Sequence, residues 1–298
     1  MKQRYDLVKC LAQDFRIETL CSVLGLSRTA YYRYLRGGSY QLTAEKKNNQ
    51  QMVEQVFAKH KRRYGSRRII AELKEQGFII GRYQMRALMK RSGLKAIQPK
   101  SFVPRTTDSR HGKGYWPNLL LDQTLPIAPN LVWVSDITYL PLVNGEWAYL
   151  AIWMDLFSRK IVGWHVGQTM EDELVIIPLR RALQMRQPLA GLIIHSDRGG
   201  QYVSTELKEL INLWHIRPSM SRADDPYDNA FAESLWSRLK AELLEGGAFL
   251  SVHDAHIEIF DYIEIYYNRI RKHSSLGYKS PEQFENEHYK NLTNSLCR

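Results

Sequence analysis

The chain predicts an α/β domain, a five-stranded mixed sheet flanked by helices, preceded by small all-α units. Three observations carry this. The back half of the 298 residues opens with three apolar runs of strand character joined by tight turns, then alternates amphipathic stretches with short apolar runs. The front shows only helical periodicity, broken by glycine turns and capping residues. Charge divides the same way: residues 1–120 hold 25 Lys and Arg against 8 Asp and Glu, whereas residues 121–298 hold 17 against 23, within an overall net charge of +11. The front is suited to a polyanion, and the back carries the acids.

In order, Tyr5 to Phe15 and Ile17 to Leu24 have helical spacing, and Gly25-Leu26-Ser27 turns the chain into a helix from Arg28 to Leu35 with Ser27 as its cap. This is a helix-turn-helix outline spanning 1–38. Its last helix sets Arg28, Arg33 and Arg36 among three tyrosines, a composition suited to phosphates and base edges. A second helical unit, 39–97, has a polar helix over Ala44 to Lys59, a helix capped by Ser66 and running through Glu75, and another from Arg82 to Arg91 after Gly81. Arg62, Arg63, Arg67 and Arg68 crowd its entry and Arg82 opens its last helix. Phosphate neutralisation by such a cluster would make binding strongly salt dependent. Residues 98–126 are proline-containing and basic, and read as an extended linker that itself tracks DNA.

The domain over 127–245 reads β, β, β, helix, β, helix, β, helix. Val132 to Leu142 is the first strand, Asn144-Gly145 a hairpin signal, and Trp147 to Asp155 the returning strand. Ile161 to Val166 follows, then a helix opened by Thr169–Asp172 and reaching Arg186, a fourth strand at Leu192 to Ile194, a helix from Ser204 to Trp214 and a fifth strand at Ile216 to Met220. A three-strand meander followed by alternating helices and strands is the order of a ribonuclease-H-like domain. Residues 246–298 form a helical tail.

Three acids stand out. Asp136 lies in the first strand and Asp197 just after the fourth, before Arg198-Gly199-Gly200. Glu233 lies on a helix that Asn229 can cap, off the apolar stripe of Leu235, Leu239 and Leu243. Singly, each reads as a turn former or a solvated polar residue. As a set they can converge, provided the first and fourth strands are neighbours. Three converging carboxylates repel one another and need cations to stay ionised. Their oxygens suit Mg²⁺, and two such ions roughly 3.5–4 Å apart can clamp the attacking and leaving oxygens of an in-line phosphoryl displacement.

Other readings narrow the field. The longest apolar stretch, Ala148 to Phe157, is cut by Asp155 and is short of the roughly 18 residues a spanning helix needs, so no membrane partner is expected. The opening is amphipathic and not a secretory block, which points to an intracellular protein. Cys10 and Cys21 read as reduced core thiols, and no zinc-ligand spacing involves them or Cys297. His195 reads as strand-end packing, and Trp133 and Trp153 as core.

The segments WVSDITYL, HSDRGGQY, PYDNAFAESLWSRLKAEL and YYNRIRKHSSLGYKSP resemble the signatures of insertion-sequence transposases of the retroviral-integrase superfamily, more narrowly the second-frame (OrfB) product of the insertion-sequence-three family. The resemblance implies a DDE recombinase with Asp136, Asp197 and Glu233 as catalytic and metal-binding positions, the last two separated by 35 residues. It also implies two Mg²⁺ ions, with Mn²⁺ able to substitute. Lys240, about two helical turns after Glu233, matches the family's basic residue and would hold a DNA phosphate. The implied partners are double-stranded DNA at element ends and target, further copies of this chain, and the first-frame product as a fusion or a separate chain. The implied setting is the bacterial cytoplasm, on the nucleoid.

The tail ends in Asn268–His273, a basic patch whose Arg271 reads either as a DNA contact or as a solvated helix end. The same fold could serve a regulator without catalysis, or a ribonuclease-H-type nuclease. The intact acids speak against the first, and the two basic helical units against the second.

Overall fold

A computed structural model of the chain describes residues 2–37, 44–99, 114–121, 124–222, 230–245 and 247–296. The first helical unit holds α1 (Lys2–Leu11), α2 (Ile17–Val23) and α3 (Arg28–Leu35) around Tyr5, Val8, Cys21, Leu26 and Tyr31. Ser27 caps α3 as its position predicts, its side chain accepting from the Ala30 amide. Cys21 is buried, but Cys10 is exposed, which corrects its reading as a core thiol. Two residues beyond buried Val8, it falls on the opposite face of α1.

The second unit packs α4 (Ala44–Lys59), α5 (Ser66–Glu75) and α6 (Arg82–Arg91) around Val53, Phe57, Tyr64, Ile69, Leu73 and Met85. Ser66 is the first helical residue and not the cap; Gly65 takes the cap position, and no side chain bonds the first amides there.

The sheet contains β1 (Val132–Pro141), β2 (Trp147–Asp155), β3 (Ile161–Gly167), β4 (Ile193–Ser196) and β5 (Arg217–Met220), in the order β3-β2-β1-β4-β5. The first three strands are antiparallel neighbours and the last two run parallel to β1, the mixed sheet that the strand order predicts. The β1–β2 hairpin turns at Asn144-Gly145, where Gly145 adopts φ +86°. On one face lie α7 (Glu173–Arg186) and α8 (Thr205–Leu213), over a core that includes Trp133 and Trp153. On the other lie α9 (Ala230–Leu244) and α10 (Val252–Phe260), over Val132, Val134, Leu150 and Ile152. Two faces covered by helices make three layers. α7 presses so closely on β3 that a Cβ at Gly163 would fall 2.3 Å from the Pro178 carbonyl oxygen, so only glycine fits. Buried Asp155 is a structural acid: its carboxylate accepts the amides of Asn130, Phe157 and Ser158 and so holds the turn into β3.

Of the stretch read as a linker, 114–121 lies along the β5 edge, where the Leu119 amide donates to Ser219 Oγ at 2.8 Å. Residues 100–113, and with them most of the basic portion, fall outside the described residues, as do Asn229 and the loop before α9.

The tail departs most from expectation. α10 continues as a π-helix over Asp261–Tyr267, and the last element among the described residues is α11 (Pro281–Leu296), anchored by Arg186 and Lys160 on Glu285. Between them, Arg271 and Lys272 are only 1% and 2% exposed. Arg271 Nη2 pairs with Glu242 at 2.7 Å, and Lys272 Nζ with Glu75 at 2.5 Å and Glu72 at 3.7 Å. Arg271 is therefore neither a solvated helix end nor a DNA contact: its guanidinium ties α9 to the tail from inside. Lys272, with Tyr64 and Arg68, ties the tail to the second helical unit. The Lys272 amide donates to Tyr64 Oη at 2.8 Å, and Arg68 Nε donates to the Lys272 carbonyl at 2.9 Å.

One pH dependence follows. The His273 ring packs against Tyr267 and accepts at Nε2 from Arg271, and its pKa is driven well below 6.5, first by burial and then by the charges of Arg271, Arg68, Arg238 and Arg159. The folded chain keeps this imidazole neutral, while the unfolded chain protonates it below about pH 6.5. Stability should therefore fall as pH drops from about 6.5 towards 5, by up to about 1.4 kcal/mol per pH unit. Urea unfolding across that window should show this slope in the parent and its loss in His273→Gln.

Candidate active site

Strand pairing brings two of the three acids together. β1 and β4 are parallel neighbours with Val132 opposite Ile193, Trp133 opposite Ile194 and Val134 opposite His195. Two residues beyond the last pair stand Asp136, inside β1, and Asp197, just past the end of β4, so the two acids leave the sheet from neighbouring strands. The adjacency that the sequence requires but does not itself establish is thus present.

Each carboxylate is oriented by the backbone and by a neighbour. Asp136 Oδ1 accepts from the Ile137 amide at 2.9 Å, and Oδ2 from the Trp236 indole Nε1 at 2.9 Å. Asp197 Oδ1 accepts from the Gly199 amide at 3.0 Å. A Cβ at Gly199, two residues after the acid, would sit 2.9 Å from Gln201 Oε1 and 3.1 Å from Asp197 Oδ1, so a larger residue there would crowd the carboxylate. Beneath them, the Tyr202 hydroxyl bonds Ser135 Oγ at 2.8 Å. Its pKa is pushed well above 10.0, first by burial and then by the charges of Asp197 and Asp136, which places it within reach of both.

The indole bond of Trp236 also orients α9. At about 100° per residue, Trp236 and Lys240 fall on one face of the helix, and that is the face turned to Asp136. Half-buried Lys240 is lowered in pKa by burial, against an opposing pull from Asp136, so its ammonium lies near that acid. The Glu233 side chain lies outside the described residues; its backbone is in the first turn of α9. Among the described residues no group of three or more His, Cys, Asp or Glu could hold a metal ion.

His195 is buried, its Nδ1 bonded to Ser219 Oγ at 2.8 Å and its Nε2 to Ser221 Oγ at 3.2 Å, so it joins β4 to β5. Trp236, Tyr202 and Ser135 went unread in the sequence. A tryptophan three residues after the helix acid was the available signal for the first; no signal marked the other two.

The basic residues are spread over several surfaces. Arg28, Arg33 and Arg36 are exposed on α3, with Arg28 paired to Glu18 at 2.6 Å. Arg62, Arg67 and Arg82 are also exposed, and Arg62 reaches Glu245 beside the end of α9 at 3.1 Å. Arg63 and Arg68 are half-buried against the tail, Arg63 stacking on Tyr262 and Tyr266.

Residues 126–226 match a family described as integrase core domain, residues 215–281 a second family of the same description, and residues 44–102 an HTH-like domain. An uncharacterized 31 kDa protein of insertion element IS600 from Shigella sonnei is 38% identical over 91% of this chain and 98% of its own length. Transposase InsF of insertion sequence IS3A from Escherichia coli strain K12 is 35% identical over 95% of this chain and 99% of its own. Among solved structures, the simian T-cell lymphotropic virus intasome in complex with PP2A regulatory subunit B56 gamma is similar over 72% of this chain and 70% of that one, with a TM-score of 0.45 and 18% identity. No helix among the described residues is long and apolar enough to cross a membrane. With relatives of this identity matched from end to end, the chain belongs to the IS3 family of insertion-sequence transposases, enzymes built on an integrase core.

Proposed function

We propose that this transposase cuts DNA at the ends of its element and joins the exposed 3′ hydroxyls to a second duplex, with Asp136, Asp197 and Glu233 as one site serving both steps. The observation that carries this is the parallel pairing of β1, which bears Asp136, with β4, which Asp197 directly follows, and the docking of α9 on Asp136 through Trp236.

The donor chemistry fits a hard divalent cation, since carboxylate oxygens turned to one face suit Mg²⁺ or Mn²⁺. Asp136, Asp197 and Glu233 would hold two such ions, which when bound supply charge neutralisation and Lewis-acid stabilisation of the displacement. The chain itself contributes orientation. The Ile137 and Gly199 amides and the Trp236 indole fix the carboxylates before substrate arrives, so little reorganisation remains. Lys240, half-buried beside Asp136, would grip a phosphate next to the scissile one. The exposed arginines of α3, α5 and α6 would bind duplex backbone. Holding two element ends calls for at least two copies of the chain, with the first-frame product as a further partner.

The test is a strand-transfer assay with a labelled element-end duplex and Mg²⁺. Joined products support the reading. Cleavage without joining would indicate a nuclease instead, and binding without cleavage a regulator.

A further inference from the structure

α9 has a second working face. Arg238, Ala241 and Glu242 lie on the side of the helix away from Trp236 and Lys240, and they border a cavity of about 150 Å³. The opposite wall comes from the second helical unit and includes Arg63, Gly65 and Arg68. The cavity thus lies where the helix bearing Glu233 meets the basic entry of α5.

Its charge is not balanced. Glu242 is the one acid among the lining residues, and it already pairs with Arg271 and accepts from the Tyr262 hydroxyl. Burial acts to raise the Glu242 carboxyl, but Arg271 outweighs it and holds the group ionised and committed. Arg63 and Arg68 are each fixed through Nε, to the Glu242 carbonyl at 3.3 Å and the Lys272 carbonyl at 2.9 Å, and their terminal Nη groups make no hydrogen bond to the described residues. Arg238 is exposed and makes no ion pair with any described residue. The Arg68 guanidinium is lowered in pKa by burial and then by repulsion from Arg271; Glu242 pulls the other way, and Arg238 adds to the repulsion. Gly65 adds the uncapped first amides of α5 to the same wall. Guanidinium groups that line one cavity, each held through Nε and steadied on a tyrosine ring, are preorganised to bind a phosphate.

We propose that Arg63, Arg68 and Arg238 form a binding site for a phosphodiester of the DNA backbone, gripped between the second helical unit and the rear face of the catalytic helix. This rests on the transposase reading and adds a contact on the face opposite Lys240. Because the ligand is backbone, the site positions duplex without reading its sequence.

The test uses the full chain, a fluorescein-labelled element-end duplex and a scrambled duplex of equal length, titrated across NaCl concentrations. Arg238→Gln should weaken binding to both duplexes by the same factor, about 5- to 10-fold, and reduce the salt slope by about one. Arg238→Lys should recover most of the affinity. Arg217→Gln, at the start of β5 and outside the cavity lining, should leave it unchanged. Exposed and without an ion pair among the described residues, Arg238 should be replaceable without a fall in melting temperature. Parental affinity and salt slope in Arg238→Gln would overturn the proposal. So would a cavity that takes only the free anion, seen as inorganic phosphate raising the melting temperature of the parent and not of Arg238→Gln while DNA affinity stays equal. A parent that binds neither duplex would overturn the transposase reading as well, whereas a parent and variant that bind alike would sink the pocket alone.

Discussion

Asp197→Asn is expected to reduce strand transfer by roughly 10³-fold or more while duplex binding stays within about 2-fold. Asparagine retains an oxygen to accept the Gly199 amide, so the turn after β4 should persist. It loses the negative charge that would hold a divalent cation. Because two carboxylates that both act on Tyr202 repel each other when no cation lies between them, the variant should also melt higher than the parent in EDTA. Addition of Mg²⁺ should then raise the parent's melting temperature and leave that of the variant nearly unmoved. Paired melting curves with and without Mg²⁺ check this independently of activity. Equal stabilisation of both proteins by Mg²⁺ would remove Asp197 from the site.

Glu242→Ala should destabilise the fold by about 3–5 kcal/mol, since it leaves the Arg271 guanidinium buried without its carboxylate. The same change strands the Tyr262 hydroxyl, which donates to Glu242 Oε2 at 2.8 Å. Urea unfolding reads the loss. The double variant Glu242→Ala, Arg271→Met should recover a good part of it, because removing both charges costs less than leaving one unpaired. A double variant no more stable than Glu242→Ala would place the effect in packing.

How far the chain could be read from its residues depended on the range of the interactions. Strand alternation, the Asn144-Gly145 turn and the glycines that follow Asp197 and Arg198 are local signals, and the succession of strands and helices they give matches the chain order of the elements. The pairing of β1 with β4 is a long-range fact, and strand order narrowed it only by analogy of topology. Arg271 and Lys272 misled for the same reason. Six residues in a row reading NRIRKH look like a solvated patch, because the acids that hold them inside, Glu242, Glu72 and Glu75, lie 29 to 200 positions away. Cys10 failed for a smaller reason, a shift of two positions round a helix. Tyr202 and Ser135 carry no local mark, since what makes them notable is the pair of charges that folding places above them.

The buried clasp of Lys272 on Glu72 and Glu75, with Tyr64 and Arg68 closing around it, makes the molecule a ruler. Whatever duplex lies along α5 and α6, the span from there to the carboxylates is set by packed protein and not by a slack tether. Changing the number of base pairs between a bound stretch and the cut would then cost activity in steps, as a misfit of lengths, and could not be absorbed by reach.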